Sequence, residues 1–298
     1  IGTLTGRADT DNAALNAWAK RHTGGLIERL PLATSSDTLA ALASALAIEL
    51  RWRLPFAEAR HIIDEGPWAD AGPIVRLTRT SPDLDDLRVV STPTGPVCAV
   101  TIRGTGDTGV VLALGDPEQA AGDVLSAAID GLRPDAPHRN GSQLIPGERA
   151  PGLSVRDVPS TRPGRELILS TVGFDISETH NLVEHANLFG LVAARQEHLD
   201  NFPGIGSGKL RVDGAVQAAT AAFSATGFIA AAVTAFDMIA RSAELPRPKP
   251  ALIRRVELDL SRPFGFVAMH RPSCLALMTG WVGRPQPWPS ASESGRSS

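Results

Sequence analysis

From Gly214 to Phe236 the chain reads GAVQAATAAFSATGFIAAAVTAF, without a single charge. A run of that length can cross a bilayer as a helix. Alanine, threonine, serine, glutamine and glycine supply most of it, however, and only residues such as Phe, Ile and Val pull strongly into lipid. Alanine is also the best helix former, which suits a buried helix. A strand running into a loop is the third reading. Phe228, Ala230, Ala232, Thr234, Phe236 and Met238 would share one face of it, with Asp237 and Arg241 on the other. Ile229, Ala231 and Val233 are apolar too, as in a strand buried on both faces. Periodicity selects none of the three.

The rest of the chain narrows the class. Its 298 residues give one large domain or two ordinary ones, with acids slightly outnumbering bases (32 against 29). Lysine occurs only at Lys20, Lys209 and Lys249, and no basic field marks a nucleic-acid binder. Cys98 and Cys274 match no metal or redox spacing. They read as two reduced, packed thiols, with a disulfide between them left open.

Asn12 to Ile27 reads as an amphipathic helix, with Ala13, Leu15, Trp18 and Ala19 inward, Asp11 or Asn12 as N-cap and Gly24-Gly25 as stop. Thr38 to Leu50 is Ala- and Leu-rich and helical by propensity. Short apolar runs at Ile74–Leu77, Leu87–Ser91, Val97–Ile102 and Val110–Leu114 predict antiparallel strands and hairpins. The acidic Ser81–Asp86 segment lacks calcium-loop spacing and reads as a solvated turn. Pro117–Leu132 reads as a helix capped by Asp116, with Ala121, Val124, Leu125 and Ile129 inward. Arg133–Gly152 reads as an exposed connection, and Glu166–Val172 as a strand. The segment from Pro203 to Leu210 imitates a phosphate loop but has Pro203 and Leu210 where that loop needs Gly and Ser or Thr. Two strands flanking Arg271-Pro272-Ser273 close the patterned part. No GxSxG elbow or HExxH helix supports a hydrolase, so the chain does not read as an enzyme.

Several stretches, in the right order, resemble the serpins, the serine protease inhibitors. Gly227, Ala230, Ala231, Ala232 and Thr234 fall where that family carries the small-residue hinge of its reactive-centre loop. Asn16, Trp18, Thr23, Gly25 and Ile27 resemble its Asn-x-Trp and Thr-x-Gly-x-Ile pattern, and Trp52 and Phe56 the end of a central strand. Phe174, Ile176, Leu182 and Phe189-Gly190 form a further match, with Gly173 in place of the usual Pro. Arg262-Pro263-Phe264, Leu277, Met278, Gly280 and Pro285 resemble the C-terminal signature.

The resemblance implies an α+β serpin fold: a large central β-sheet, smaller sheets, surrounding helices and an exposed reactive-centre loop. It makes Thr38–Leu50 a strand rather than a helix. The match covers the last two thirds of the family pattern, so about the N-terminal third is expected to precede Ile1. Residues 1–285 would form the partial serpin domain and 286–298 a disordered tail. Without the first third, apolar surface is left uncovered, and these residues alone are expected to be poorly soluble or partly molten. The composition is bacterial-looking, actinobacterial in style.

By the same resemblance the scissile bond is Arg241-Ser242, and the partner is a trypsin-like serine protease whose specificity pocket takes Arg241. The protein is then a monomeric inhibitor needing no cofactor or metal, with no nucleic-acid or membrane partner. Family habit places it outside the cell; the cytoplasm is the other compartment, since no signal peptide is visible in this chain. Departures stand at Phe228 (usually Thr or Ser), at Ala225 and Thr226 (usually acids), and in the sheet-opening region at Ser44 (usually Asn) and Gln217 (usually His), beside Trp52. Phe228 is expected to overpack the sheet if no pocket awaits it. The other reading is a non-inhibitory serpin-like binding or structural protein whose loop is only a cleavable segment.

Overall fold

The computed structural model describes residues 4–36, 38, 41, 47–133, 135–161, 164–196, 198–199, 201–204, 210–212, 214–228 and 251–290. In chain order these form α1 (Ala8–His22), β1 (Leu50–Arg51), β2 (Ala57–Ile62), β3 (Pro73–Ser81), β4 (Leu87–Thr92), β5 (Gly95–Arg103) and β6 (Thr108–Leu114). Then come α2 (Ala121–Asp130), β7 (His138–Asn140), β8 (Arg149–Ala150), β9 (Leu153–Ser160), β10 (Arg165–Val172), β11 (Phe174–Asn181) and α3 (Leu191–Ala194). The chain closes with β12 (Val216–Phe223), β13 (Gly227–Phe228), β14 (Ala251–Asp259), β15 (Phe264–His270) and β16 (Leu275–Val282). Two compact units divide them, one of residues 1–48 and 176–221, the other of 49–175 and 222–298.

In the first unit, α1 begins at Ala8, earlier than the sequence suggests, because Asp11 does not cap it. Its carboxylate instead accepts from the Thr5 and Gly6 backbone at 2.8 and 3.1 Å, tying down the approach to the helix. Asn12 and Asn16 accept from Thr34 N and Leu30 N at 2.8 Å each, so these asparagines fold the following segment back along the helix. Gly24 and Gly25, at φ +63° and +90°, stop it as expected. β11 is hydrogen-bonded beside β12. After β11 come a 3-10 turn at Leu182–His185 and the four residues of α3. Leu188, Phe189, Val192 and Leu199 are exposed.

The second unit holds two six-stranded sheets, in the orders β2-β3-β10-β14-β9-β8 and β16-β15-β6-β5-β4-β7. In the latter, the inner strands β6 and β15 are buried on both faces and accordingly apolar almost throughout. Strand alternation sorts the two cores. Ala99, Val111, Ala113, Val267 and Met269 meet Val124, Ala127, Ala128 and Leu132 of the α2 region. Phe264 and Phe266, of the opposite parity, meet Phe174. Gly280 sits where a Cβ would lie 2.6 Å from the Phe266 ring, so the glycine makes room for it.

Five expectations need correction. Of Thr38–Leu50, residues 38, 41 and 47–50 are described, and among them only Leu50 is in a strand, which Arg51 continues. α2 starts at Ala121, after the Asp116 backbone N–H has been taken by the Gln119 side chain at 2.6 Å, and Ile129 faces solvent while Ala127 and Ala128 face the core. The Ser81–Asp86 turn is not wholly solvated, since Asp86 is buried. Arg133–Gly152 is partly structured, carrying β7 and β8. Past Pro285 the chain stays ordered to residue 290: Gln286 N donates to Gly173 O (2.7 Å), and Trp288 N to Pro73 O (2.8 Å). Backbone pairing overrides a Pro- and Ser-rich composition there. No helix among the described residues is long and apolar enough to cross a membrane.

Candidate functional site

The charge-free stretch enters the second unit at the end of β12 and reverses at once. Ser224 N donates to Gly227 O at 2.9 Å. The Ser224 hydroxyl donates to the same carbonyl (3.1 Å) and faces Gly227 N at 3.3 Å, so one side chain closes the turn. β13 then runs back antiparallel, with Phe228 opposite Phe223 on one side, and Gly227 and Phe228 opposite Arg51 and Leu50 on the other. The first residues after the turn therefore lie as a strand between β1 and the end of β12. Only glycine fits at 227, where a Cβ would stand 2.4 Å from the Leu50 carbonyl oxygen.

Phe228 is 1% exposed, its ring 5.9 Å from that of Phe266. Overpacking was expected only in the absence of a pocket, and at this position Phe228 is packed beside Phe266 of β15.

Trp52 and Phe56 hold the turn from the side. The Trp52 indole donates to Ser224 O (2.9 Å) and its backbone N–H to Thr226 O (2.9 Å), while Phe56 N donates to Ala225 O (2.8 Å). Every carbonyl from Ser224 to Thr226 is thereby satisfied without water, as buried backbone requires. The rings continue the contact: Trp52 and Phe56 lie 4.8 and 5.6 Å from Phe223, which stacks on Phe174 at 5.3 Å. Such aromatic pairs each add about 0.5–1.5 kcal/mol beyond burial.

A buried charge cluster backs this aromatic layer. The Arg79 guanidinium lies 4.9 Å from the centre of the Phe56 ring and is only 8% exposed. Burial pushes its pKa down to about 10, the Asp86 carboxylate opposing the shift and Arg103 adding to it. Asp86 forms an ion pair with Arg103 at 2.6 Å, and Arg103 reaches Asp83 at 3.0 Å. Burial holds the Asp86 carboxyl above the usual carboxylate range, against the pull of Arg103. The cluster contains no nucleophile. The buried Cys98 thiol elsewhere in the unit is pushed up to about 12 by burial and is inert at neutral pH. Among the described residues no three His, Cys, Asp or Glu side chains group to hold a metal.

Of the sequence-derived site residues, Trp52, Gly227 and Phe228 come together. Gln217 is exposed on β12 in the first unit. Ser44, Ala230, Ala231, Ala232, Thr234, Arg241 and Ser242 lie outside the described residues. Sequence reasoning missed Ser224, Phe223, Phe266 and Arg79. A hairpin signal was present for the first two, in two phenylalanines flanking Ser-Ala-Thr-Gly. Nothing in the sequence pairs Arg79 with Phe56.

No family model and no curated protein sequence matches the chain. Solved structures do. Thyroxine-binding globulin in complex with thyroxine is similar over 96% of this chain and 67% of its own, with a TM-score of 0.58 and 13% identity. Serpin48 of the insect Tenebrio molitor is similar over 93% of this chain and 65% of its own (TM-score 0.54, 15% identity). A serpin from the trematode Schistosoma haematobium is similar over 93% and 64% (TM-score 0.58, 14% identity). This chain thus spans about two thirds of the length of each. Over the residues it spans, the chain has the serpin fold.

Proposed function

We propose that the chain is the larger part of a serpin-type inhibitor that traps a trypsin-like serine protease, with Arg241-Ser242 as the bait bond. The observation that carries this reading is the seating of Gly227 and Phe228 between β1 and the end of β12. A sheet that already accepts the start of the loop as a strand, in a formed pocket, is suited to accept more of it. Strand addition after cleavage would carry an attached acyl-enzyme away from its geometry before water releases it. The protease supplies all catalytic groups, so a site without a nucleophile or base is in keeping with the role.

The bait assignment follows from what competes with it. Arg247 and Lys249 precede prolines, whose locked φ and missing N–H spoil the leaving-group side. Arg254 and Arg255 lie within β14, paired on both sides. Incubating the complete protein with trypsin should give a covalent complex stable in SDS, with first cleavage after Arg241 by mass spectrometry. Simple clipping at every ratio would refute inhibition, and first cleavage at Arg254 or Arg255 would refute the bait assignment.

A second reading has one observation in its favour: one of the similar structures, thyroxine-binding globulin, holds a small ligand. On that reading the chain is a binding or structural protein with a cleavable loop. Melting temperature after cleavage separates the two, since insertion raises it strongly and a loop that stays out leaves it unchanged.

A further inference from the structure

β2 is the long open edge of its sheet. In the order β2-β3-β10-β14-β9-β8 it pairs with β3 alone, whereas the opposite edge, β8, is two residues long. An unpaired edge offers a row of N–H and C=O groups to any extended chain, and proteins blunt such edges with proline, a bulge, a short strand or a cover. Among the described residues β2 has none of these. Its six residues, AEARHI, run against β3 without a break from Ala57↔Thr78 to Ile62↔Pro73, and every one of them is exposed.

Charge is what remains to guard this edge. Strand alternation puts Glu58 and Arg60 on one face, opposite Leu77 and Val75, which are buried. Both side chains therefore stand at the rim of the core-facing side, where burial beside an apolar strand would be costly. Neither has an ion pair among the described residues. Most strands that could pair here are rejected on that ground.

One strand answers the pattern, and it is a second copy of β2. When two copies meet antiparallel about a two-fold axis through Ala59, Glu58 of each faces Arg60 of the other. On the other face Ala59 meets Ala59 and His61 meets Ala57, so small residues allow close approach. Neighbouring registers fail. An axis through Arg60 sets arginine on arginine, and one through Glu58 sets glutamate on glutamate. Registers between these would put the core-facing side of one copy beside the solvent side of the other.

We propose that β2 is a self-association surface: two copies of this chain join edge to edge through Ala57–His61, continuing one sheet across a two-fold axis. This replaces the monomer that the resemblance implies, and it is independent of the inhibitor reading because it uses no residue of the loop. The contact is a single ladder with polar flanks, so the dimer is reversible and belongs to the weak, concentration-dependent class.

The test is sedimentation velocity of the complete protein over a wide range of concentrations. Wild type should pass from monomer to dimer and no further, because a two-fold contact closes on itself. Glu58→Arg alone and Arg60→Glu alone each set like charges opposite one another, and each should weaken dimerisation at least about tenfold. Both positions are exposed, so the melting temperature should stay that of wild type. Mixed in equal amounts, the two variants regain complementarity and should form a one-to-one dimer, identified by a mass label on one of them. The double variant, Glu58→Arg with Arg60→Glu, should dimerise as wild type does. Wild type that stays monomeric at every concentration would sink the proposal and leave the charges as guards of the edge alone. Single variants that dimerise as tightly as wild type would mean that another surface is used. A mixture that stays monomeric would mean that pairing of Glu58 with Arg60 is not what holds the copies together; either result overturns the proposal.

Discussion

The indole N–H of Trp52 donates to the main-chain oxygen of Ser224 at 2.9 Å, across 172 residues of sequence. This bond ties the residue after β1 to the turn between β12 and β13. Trp52 is 3% exposed, and Ser224 is half-buried.

Trp52→Phe keeps most of the ring packing and removes that donor. It should destabilise by about 0.5–1.5 kcal/mol, the net worth of one such hydrogen bond. Trp52→Ala should cost about 3–5 kcal/mol, since it also empties the contact with Phe223. Urea unfolding of the two variants checks the order: no loss for Trp52→Phe would mean that the hydrogen bond contributes nothing, and equal losses that the ring packing adds nothing to it.

Ser224→Ala should loosen the turn by about 1 kcal/mol, because one hydroxyl serves both the N–H and the carbonyl of Gly227. The sensitive readout is hydrogen exchange at Thr226 and Gly227, which should accelerate more than exchange in β15.

Asp86 gives a pH signature. Its carboxyl is raised by burial, so between the unfolded and folded pKa values the folded state keeps a proton that the unfolded chain has lost. Its contribution is therefore full below the unfolded pKa and disappears as pH rises through the folded value. Asp11 and Asp85, lowered by hydrogen bonds from Thr5 and Ser142, act in the opposite sense, so the single-site effect must be read as a difference. Relative to Asp86→Asn, wild type should lose stability as pH rises from the ordinary carboxylate pKa through the raised folded value. At neutral pH, Asp86→Ala should cost about 3–5 kcal/mol by leaving the buried Arg79 uncompensated, Arg103 keeping Asp83, whereas Arg79→Met should be close to neutral. A large loss for Arg79→Met would show that its stacking on Phe56 outweighs the cost of its burial.

What the sequence made legible follows from the range of the forces involved. The short apolar runs at Val97–Ile102 and Val110–Leu114 matched their strands because alternation and turn residues are local signals. The identity of Gly227 was legible through resemblance, and its reason, the nearby Leu50 carbonyl, was not. Whether Phe228 would find a pocket was not legible, because Phe266 lies on a strand that arrives later in the chain. The buried Arg79 and Asp86 carry no periodic signature, and composition alone placed Asp86 in solvent.

The two residues of β13 allow the sharpest test of how the loop begins to enter the sheet. Gly227→Ala forces a Cβ toward the Leu50 carbonyl oxygen, which is backbone and cannot swing aside. Overpacking of this kind costs about 1–3 kcal/mol, and losing the β1 pairing is the cheapest escape. Phe228→Thr acts differently, by emptying a formed pocket beside Phe266 at a cost of about 3–5 kcal/mol if the site does not collapse. On the inhibitor reading proposed above, both variants should free the start of the loop, so trypsin should cut after Arg241 faster than in wild type, while the fraction of protease trapped per cut should fall. A rise in the trapped fraction for Phe228→Thr would mean that the phenylalanine must leave its pocket before the rest of the loop can follow. Its packing would then be a brake on insertion rather than its first step.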